Sequence, residues 1–224
     1  MSRIAILVLS IALLGAGLSS AQMDGTPGSL IQKFSAPVRV VGTATVGESL
    51  WTVAGSTLYE FDVKTGAVLS SFAHQFAGPY GLGYDIRRKE FVMTAAGPGT
   101  IGRVDMKGAV TTVFPSPTTR PIGVAYDWNR DAYWVADWNA NVLHLMDATS
   151  GTTVQPSFSL TPSGCTSSAD VGYSMFNDLL VIIGRSANKA FIYRAGNPPV
   201  FVSAVTFGTT IPGGARGADF YPRT

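Results

Sequence analysis

The sequence predicts an all-β protein, a β-propeller of four full four-stranded blades plus a reduced or incomplete closing blade. Three observations carry this expectation. Gly81-Leu-Gly-Tyr-Asp85 recurs as Gly123-Val-Ala-Tyr-Asp127, an offset of 42 residues, which is the length of one propeller blade. Short runs of β-branched and aromatic residues, divided by Gly, Asp and Pro, fill each period and number four to a unit. No segment beyond residue 21 repeats its apolar residues every 3.6 positions for long enough to make a helix.

The chain opens on a different signal. Arg3 supplies a positive charge, Ile4 to Leu18 is an almost unbroken apolar stretch of 15 residues, and Ser19-Ser-Ala21 is small throughout. That stretch is shorter than the roughly 20 residues a bilayer span needs and has the anatomy of a secretory signal. The expectation is a signal peptide over 1–21, cut after Ala21, and a single propeller domain over 22–224. The mature chain is then secreted or periplasmic, with no transmembrane segment remaining. No Cys stands beside the cut to take a lipid. Cys165 is the one cysteine, so no internal disulfide forms, and its Thr-Pro-Ser-Gly-Cys-Thr-Ser-Ser setting is that of an unreactive loop residue.

Four units follow, at about 37–72, 80–114, 121–158 and 169–207. In each the second strand is the most apolar: Leu50-Trp-Thr-Val53, Phe91-Val-Met-Thr94, Tyr133-Trp-Val-Ala136 and Leu179-Leu-Val-Ile-Ile183. Both faces of a blade are covered by neighbouring blades, which is why alternation with polar residues is lost. Tyr133 and Val135 are expected to fill one inter-blade gap and Trp134 the next. The third strand runs into a turn opened by Asp and closed by Gly, as in Asp62 to Gly66, Asp105 to Gly108 and Asp147 to Gly151. Asp accepts backbone hydrogen bonds there and Gly takes the left-handed conformation. Phe191-Ile-Tyr-Arg-Ala-Gly196 is the fourth copy, without its Asp. A lone strand at Ser29 to Phe34 precedes the units and another at Gly217 to Tyr221 follows them. These strands are expected to contribute to a closing blade, whose incompleteness leaves self-association through it open.

The stretch from Gly123 to Asp147, with Tyr133-Trp-Val-Ala-Asp137 at its centre, resembles the YWTD and NHL repeat families. Gly81 to Gly108 is a weaker copy in which Met93-Thr-Ala95 replaces the Trp-Val-Ala-Asp element. The resemblance implies a propeller blade of an extracellular or scaffold protein, most often six-bladed, but the 203 residues from Gln22 onward cannot hold six units. In those families an Asp in the place of Asp137 fastens neighbouring backbone. Propeller lactonases of the gluconolactonase type instead gather carboxylate and amide oxygens around a divalent cation, and Asp137, Asn139 and Asp170 are the candidate ligands for that alternative.

Composition bears on function. The charged fraction is 13% and the formal net charge +2, with 16 Lys+Arg against 14 Asp+Glu, so no electrostatic excess draws in nucleic acid. Asp62, Asp105 and Asp147 belong to turns, and Asp85 and Asp127 open the bend after the first strand, leaving few acids for general acid/base work. His74 and His144 lack zinc spacing and are expected as polar edge groups. Gly97-Pro-Gly-Thr-Ile-Gly102 reads as a turn, and Arg87-Arg-Lys89 as a solvated bend. Trp128 and Trp138 lie in connections and are expected, with Asp137 and Asn139, to form a binding patch. The functional expectation is an exported binding or scaffold module that takes a protein or small-molecule ligand at its channel mouth or rim loops and uses no cofactor. The alternative is a metal-dependent lactonase or hydrolase.

Overall fold

The computed structural model describes residues 41–184 and 188–207, together with the backbone of Ala5–Leu7 (β1) and Lys33–Ser35 (β2), which pair antiparallel with each other. Four antiparallel four-stranded sheets make up the rest. Blade 1 is β3 (Gly42–Val46), β4 (Ser49–Ala54), β5 (Thr57–Asp62) and β6 (Val68–Ala73). Blade 2 is β7 (Leu82–Asp85), β8 (Glu90–Ala95), β9 (Thr100–Val104) and β10 (Val110–Pro115). Blade 3 is β11 (Pro121–Asp127), β12 (Ala132–Asp137), β13 (Val142–Asp147) and β14 (Thr153–Ser159). Blade 4 is β15 (Ser168–Ser174), β16 (Leu179–Gly184), β17 (Lys189–Arg194) and β18 (Val200–Thr206). Every sheet is a simple meander, and the first strands β3, β7, β11 and β15 lie against one another in chain order. This is a β-propeller with the four blades where the repeat places them.

Glycines let the inner strands approach. A Cβ on Gly81 would fall 2.5 Å from the Ile122 carbonyl, and one on Gly123 would fall 2.5 Å from Asp170 Oδ1 and 2.6 Å from its Cα. The Gly that leads the second and third units is therefore an inter-blade contact residue. Between blades the second and third strands interlock. Trp51 packs on Phe91 with ring centroids 5.0 Å apart. Tyr133 and Val135 join Val92 and Ile101 on one side of blade 3, while Trp134 faces Val171, Leu180 and Phe191 on the other, as strand alternation requires.

The two end faces are buried as well. Leu50, Thr52 and Phe61 alternate with the residues that meet blade 2, and Leu179, Val181, Ile183, Ala190 and Ile192 alternate with those that meet blade 3, yet all are buried. The expected closing strand at Gly217 to Tyr221 lies outside the described residues, as does the cut after Ala21. Of the expected strand Ser29 to Phe34, only Lys33 and Phe34 are described, in the β1–β2 pair. Among the described residues no helix is long and apolar enough to cross a membrane.

The Asp turns form as expected. Asp62 Oδ1 accepts from the backbone N–H groups of Lys64 and Thr65 at 2.9 and 2.7 Å, and Asp147 Oδ1 accepts from Thr149 and Ser150 at 3.0 and 2.7 Å. Gly66, Gly108 and Gly151 close them at positive φ. Gly97 to Gly99 is a turn, with Gly99 at φ 63°. One expectation is corrected. Arg87-Arg-Lys89 is not simply a solvated bend, because Arg88 is largely buried between blades 2 and 3 and holds ligands from both.

Candidate functional site

In each meander the turn between first and second strands and the turn between third and fourth strands share one end of the sheet. The second-to-third turns occupy the other end. We call these the first-turn end and the second-turn end.

At the first-turn end two copies of one inter-blade clamp stand side by side. Asp85 ends β7 fully buried, with Oδ1 accepting from the backbone N–H groups of Arg87 and Arg88 at 3.1 and 3.0 Å. Its Oδ2 takes Arg88 Nη1 at 2.8 Å and the Tyr133 hydroxyl of blade 3 at 2.8 Å. Arg88 continues into blade 3, donating to Asp131 Oδ1 and Oδ2 at 2.7 and 3.1 Å and to Thr149 at 2.8 Å. One blade later Asp127, also fully buried, takes Arg130 Nη1 at 2.8 Å and the Trp134 indole N–H at 2.9 Å. Arg130 then reaches Asp178 of blade 4 at 2.7 and 2.9 Å and the Ala195 carbonyl at 3.2 Å.

Tyr126 and Tyr173 complete the copies by donating to Asp131 and Asp178, each at 2.8 Å. The guanidinium groups beside them hold the Asp131 and Asp178 carboxyls below the usual carboxylate range, while burial pushes the Tyr126, Tyr133 and Tyr173 hydroxyls up. Two-pronged Arg–carboxylate bonds of this kind fix geometry as well as energy. Lys89, Asp131 and Asp178 share a left-handed φ near 50°, so the three turns have one shape.

That shared shape puts equivalent side chains outward. Ile86 follows Asp85, Trp128 follows Asp127, and Met175 follows Ser174, and all three are exposed. Beside Met175, Phe176 is 75% exposed, the highest value among the exposed large apolar residues. Met106, on the outer turn of blade 2, adds a fifth apolar group at this end. Among the described residues, the other exposed large apolar side chains lie on the outer strands β6, β10, β14 and β18, and none lies on a second-turn loop. Arg87 covers part of Trp128, with its guanidinium carbon 4.7 Å from the ring centroid and Nη2 donating to the Trp128 carbonyl at 2.9 Å.

Asp137 sits at the second-turn end and is buried. Its Oδ1 accepts from the backbone N–H groups of Asn139 and Ala140 at 2.6 and 2.9 Å, and its Oδ2 accepts from the Thr118 hydroxyl. Its carbonyl takes the Ser168 hydroxyl at 2.9 Å, tying blade 3 to blade 4. Asn139 is exposed and accepts from Arg120 Nη1 at 3.3 Å. Asp170 is fully buried on β15, with Oδ1 taking the Val171 N–H at 2.9 Å. Trp138 is half-buried against the core between blades 3 and 4. Asp137 therefore fastens a loop, and among the described residues no group of three or more His, Cys, Asp or Glu side chains stands together.

Trp128 and Trp138 are held apart. They flank β12 at its two ends, and six strand residues span about 20 Å, so the two indoles belong to opposite faces. His74 is buried rather than an edge group, with Nε2 3.1 Å from the Gly55 carbonyl, and burial lowers its pKa. His144 is half-buried and its pKa is lowered in the same way. Cys165 is buried, its thiol pushed up to about 12 by loss of solvent, which makes it a poor nucleophile.

The fold and these turns define a β-propeller with clamped blades and one apolar end. No protein-family model matches the chain, and no curated protein matches it. Solved structures do share the fold. A chain of a nidogen/laminin complex superposes with a TM-score of 0.56 at 14% identity, over 81% of this chain and 68% of that one. Virginiamycin B lyase from Staphylococcus aureus gives 0.53 at 16% identity, over 84% and 63%. Hydrazine synthase of Kuenenia stuttgartiensis gives 0.52 at 14% identity, over 74% of this chain and about half, 48%, of that one.

Proposed function

We propose that the protein is an exported binding propeller, of the kind built from YWTD- or NHL-like repeats, and that its first-turn end is the face that receives a protein partner. The observation that carries the reading is the row of Ile86, Trp128, Met175 and Phe176, exposed on equivalent turns of three consecutive blades. Contiguous exposed apolar groups on a soluble domain mark interaction sites, and aromatic side chains with a neighbouring Arg are the residues that dominate binding energy. The clamps support the reading further, since turns tied between blades need not be ordered when a partner arrives. The nidogen/laminin structure, a propeller solved with a protein partner, is consistent with such a role.

The lactonase alternative draws no support from the carboxylates. Asp85, Asp127, Asp131 and Asp178 are engaged by Arg, Tyr and Trp donors, Asp137 by loop N–H groups and Thr118, and Asp170 by the Val171 N–H. The test is retention of partners from the exported fraction of the producing cell by the wild type and by an Ile86→Ser, Trp128→Ser, Phe176→Ser variant of unchanged circular dichroism. The variant is expected to lose at least about tenfold in retained partner, the loss of one central hot-spot residue. Equal retention rejects the assignment of this face.

A further inference from the structure

We propose that the partner received at the first-turn end is an acidic protein segment, one whose Asp and Glu side chains flank exposed apolar residues. The inference rests on the reading of that end as the binding face and adds what the face selects. The charged side chains that reach solvent are sorted by sign and by end. Among the described residues, Glu48 is the one exposed acid. The exposed cations are Lys64, Arg87, Lys89, Lys107, Arg120 and Arg194, and all but Arg120 stand at the first-turn end.

The other acids of this end are turned inward. Asp85 and Asp127 are fully buried in the clamps, and Asp131 and Asp178 are held by Arg88 and Arg130. Asp62, Asp105 and Asp147 are engaged by the N–H groups of their own turns. Blade 2 shows the result most clearly, because its two turns carry Ile86 and Met106 among four cations, Arg87, Arg88, Lys89 and Lys107. Against them stand Asp85 and Asp105, while Glu90 lies 3.4 Å from Arg103. An excess of positive charge remains when Asp131, across the clamp, is counted. Glu48 lies in the blade 1 turn, which carries no exposed large apolar residue. The exposed acid is thus kept off the blades that bear the apolar row.

Arg87 joins the two features. Its side chain is 41% exposed and lies on the Trp128 ring. One hydrogen bond, to the Trp128 carbonyl, and one ion pair, to Asp131 at 3.5 Å, engage a guanidinium that has five N–H donors. A carboxylate brought up with an apolar neighbour to Trp128 therefore meets a cation already desolvated on one face. Lys89 and Lys107 attract the same partner from the rim, and a basic segment is repelled there.

Selection of random displayed peptides by the full exported chain tests the proposal. Peptides retained by the wild type are expected to be enriched in Asp and Glu beside Phe, Trp or Leu, and depleted in Lys and Arg, relative to the unselected library. Their binding is expected to weaken about tenfold or more in a Lys89→Glu, Lys107→Glu variant and in high salt, because rim charges act through screened attraction. Lys89→Gln, Lys107→Gln serves in its place if the charge reversal alters the circular dichroism. Peptides that need Ile86, Trp128 and Phe176 but show no acidic bias, or that ignore both lysine variants, overturn this inference and leave the binding face standing. Peptides indifferent to the Ile86→Ser, Trp128→Ser, Phe176→Ser variant overturn both. Failure to select any peptide also overturns the inference, and sedimentation of the protein with phosphatidylserine vesicles would then make a lipid surface the occupant.

Discussion

At the residue scale, the most consequential side chain is Arg88. Its guanidinium joins the buried Asp85 to Asp131 and Thr149 of the next blade. Removing one member of a largely buried ion pair leaves a desolvated charge, a loss of about 3–5 kcal/mol when both partners are fully buried. The Arg88 side chain is about a fifth exposed, so Arg88→Ala is expected to cost about 2–3 kcal/mol, read as a lowered denaturant midpoint. The more exposed Arg87→Ala is expected to stay within about 1 kcal/mol.

The clamp also sets an acid limit. Arg88 holds the Asp131 carboxyl, and Arg130 the Asp178 carboxyl, below the ordinary value of 3.8. A depressed carboxyl pKa contributes stability that is complete above the unfolded value and lost as pH falls through the folded one. These two groups are thus expected to leave Tm level from neutral pH to about pH 4 and to lower it below that. The fall is expected to be shallower in Arg88→Ala, where Asp131 has lost the largest cause of its lowered pKa. Thermal melts across pH check this, and an equal slope in both proteins contradicts it.

Arg88 also marks where the sequence was hard to read. Its partners lie 43 and 61 residues away, whereas Asp62 and Asp147 bond within three residues of themselves and can be recognised from local turn chemistry. A signal was nevertheless present: Asp85 and Arg88 recur as Asp127 and Arg130 with the same spacing and at the same 42-residue offset. A charge pair repeated in register with the blades points to the blade interface rather than to solvent.

At the scale of the element, the inner strands depend on glycine. Gly123→Ala would set a Cβ 2.5 Å from Asp170 Oδ1 and 2.6 Å from its Cα, where backbone must move. The substitution is expected to cost about 2–3 kcal/mol, and Gly97→Ala, whose Cβ meets nothing within 4 Å, is expected to be near neutral. Urea unfolding of the two variants separates a contact role from a turn role. Strand number, order and the alternation of Tyr133, Trp134 and Val135 were legible because each rests on local period. The separation of Trp128 from Trp138 follows from the same topology: ten residues apart in the chain, they cap opposite ends of one strand. Proximity in sequence hid that until β12 was placed.

At the scale of the molecule, four blades stack with both end faces buried, and the two clamps tie blades 2, 3 and 4 at one end. Blade 1 turns through Val46-Gly-Glu-Ser49 and blade 4 has Ser174 in place of the clamp Asp, so the clamped series stops at the blades that carry the exposed apolar row. The row itself was only partly visible in the sequence. Trp128 stood out as an aromatic residue in a connection, while Ile86, Met175 and Phe176 look like ordinary core residues until their turns are seen to face outward.

A photo-crosslinking side chain placed at Trp128 in one protein and at Trp138 in another, each exposed to the same exported fraction, tests the assignment of the binding face most directly. Capture of one partner in stoichiometric yield from position 128, with little from position 138, is the expected result. Capture from position 138 alone, or equally from both, would place binding at the second-turn end or at neither and contradict the account.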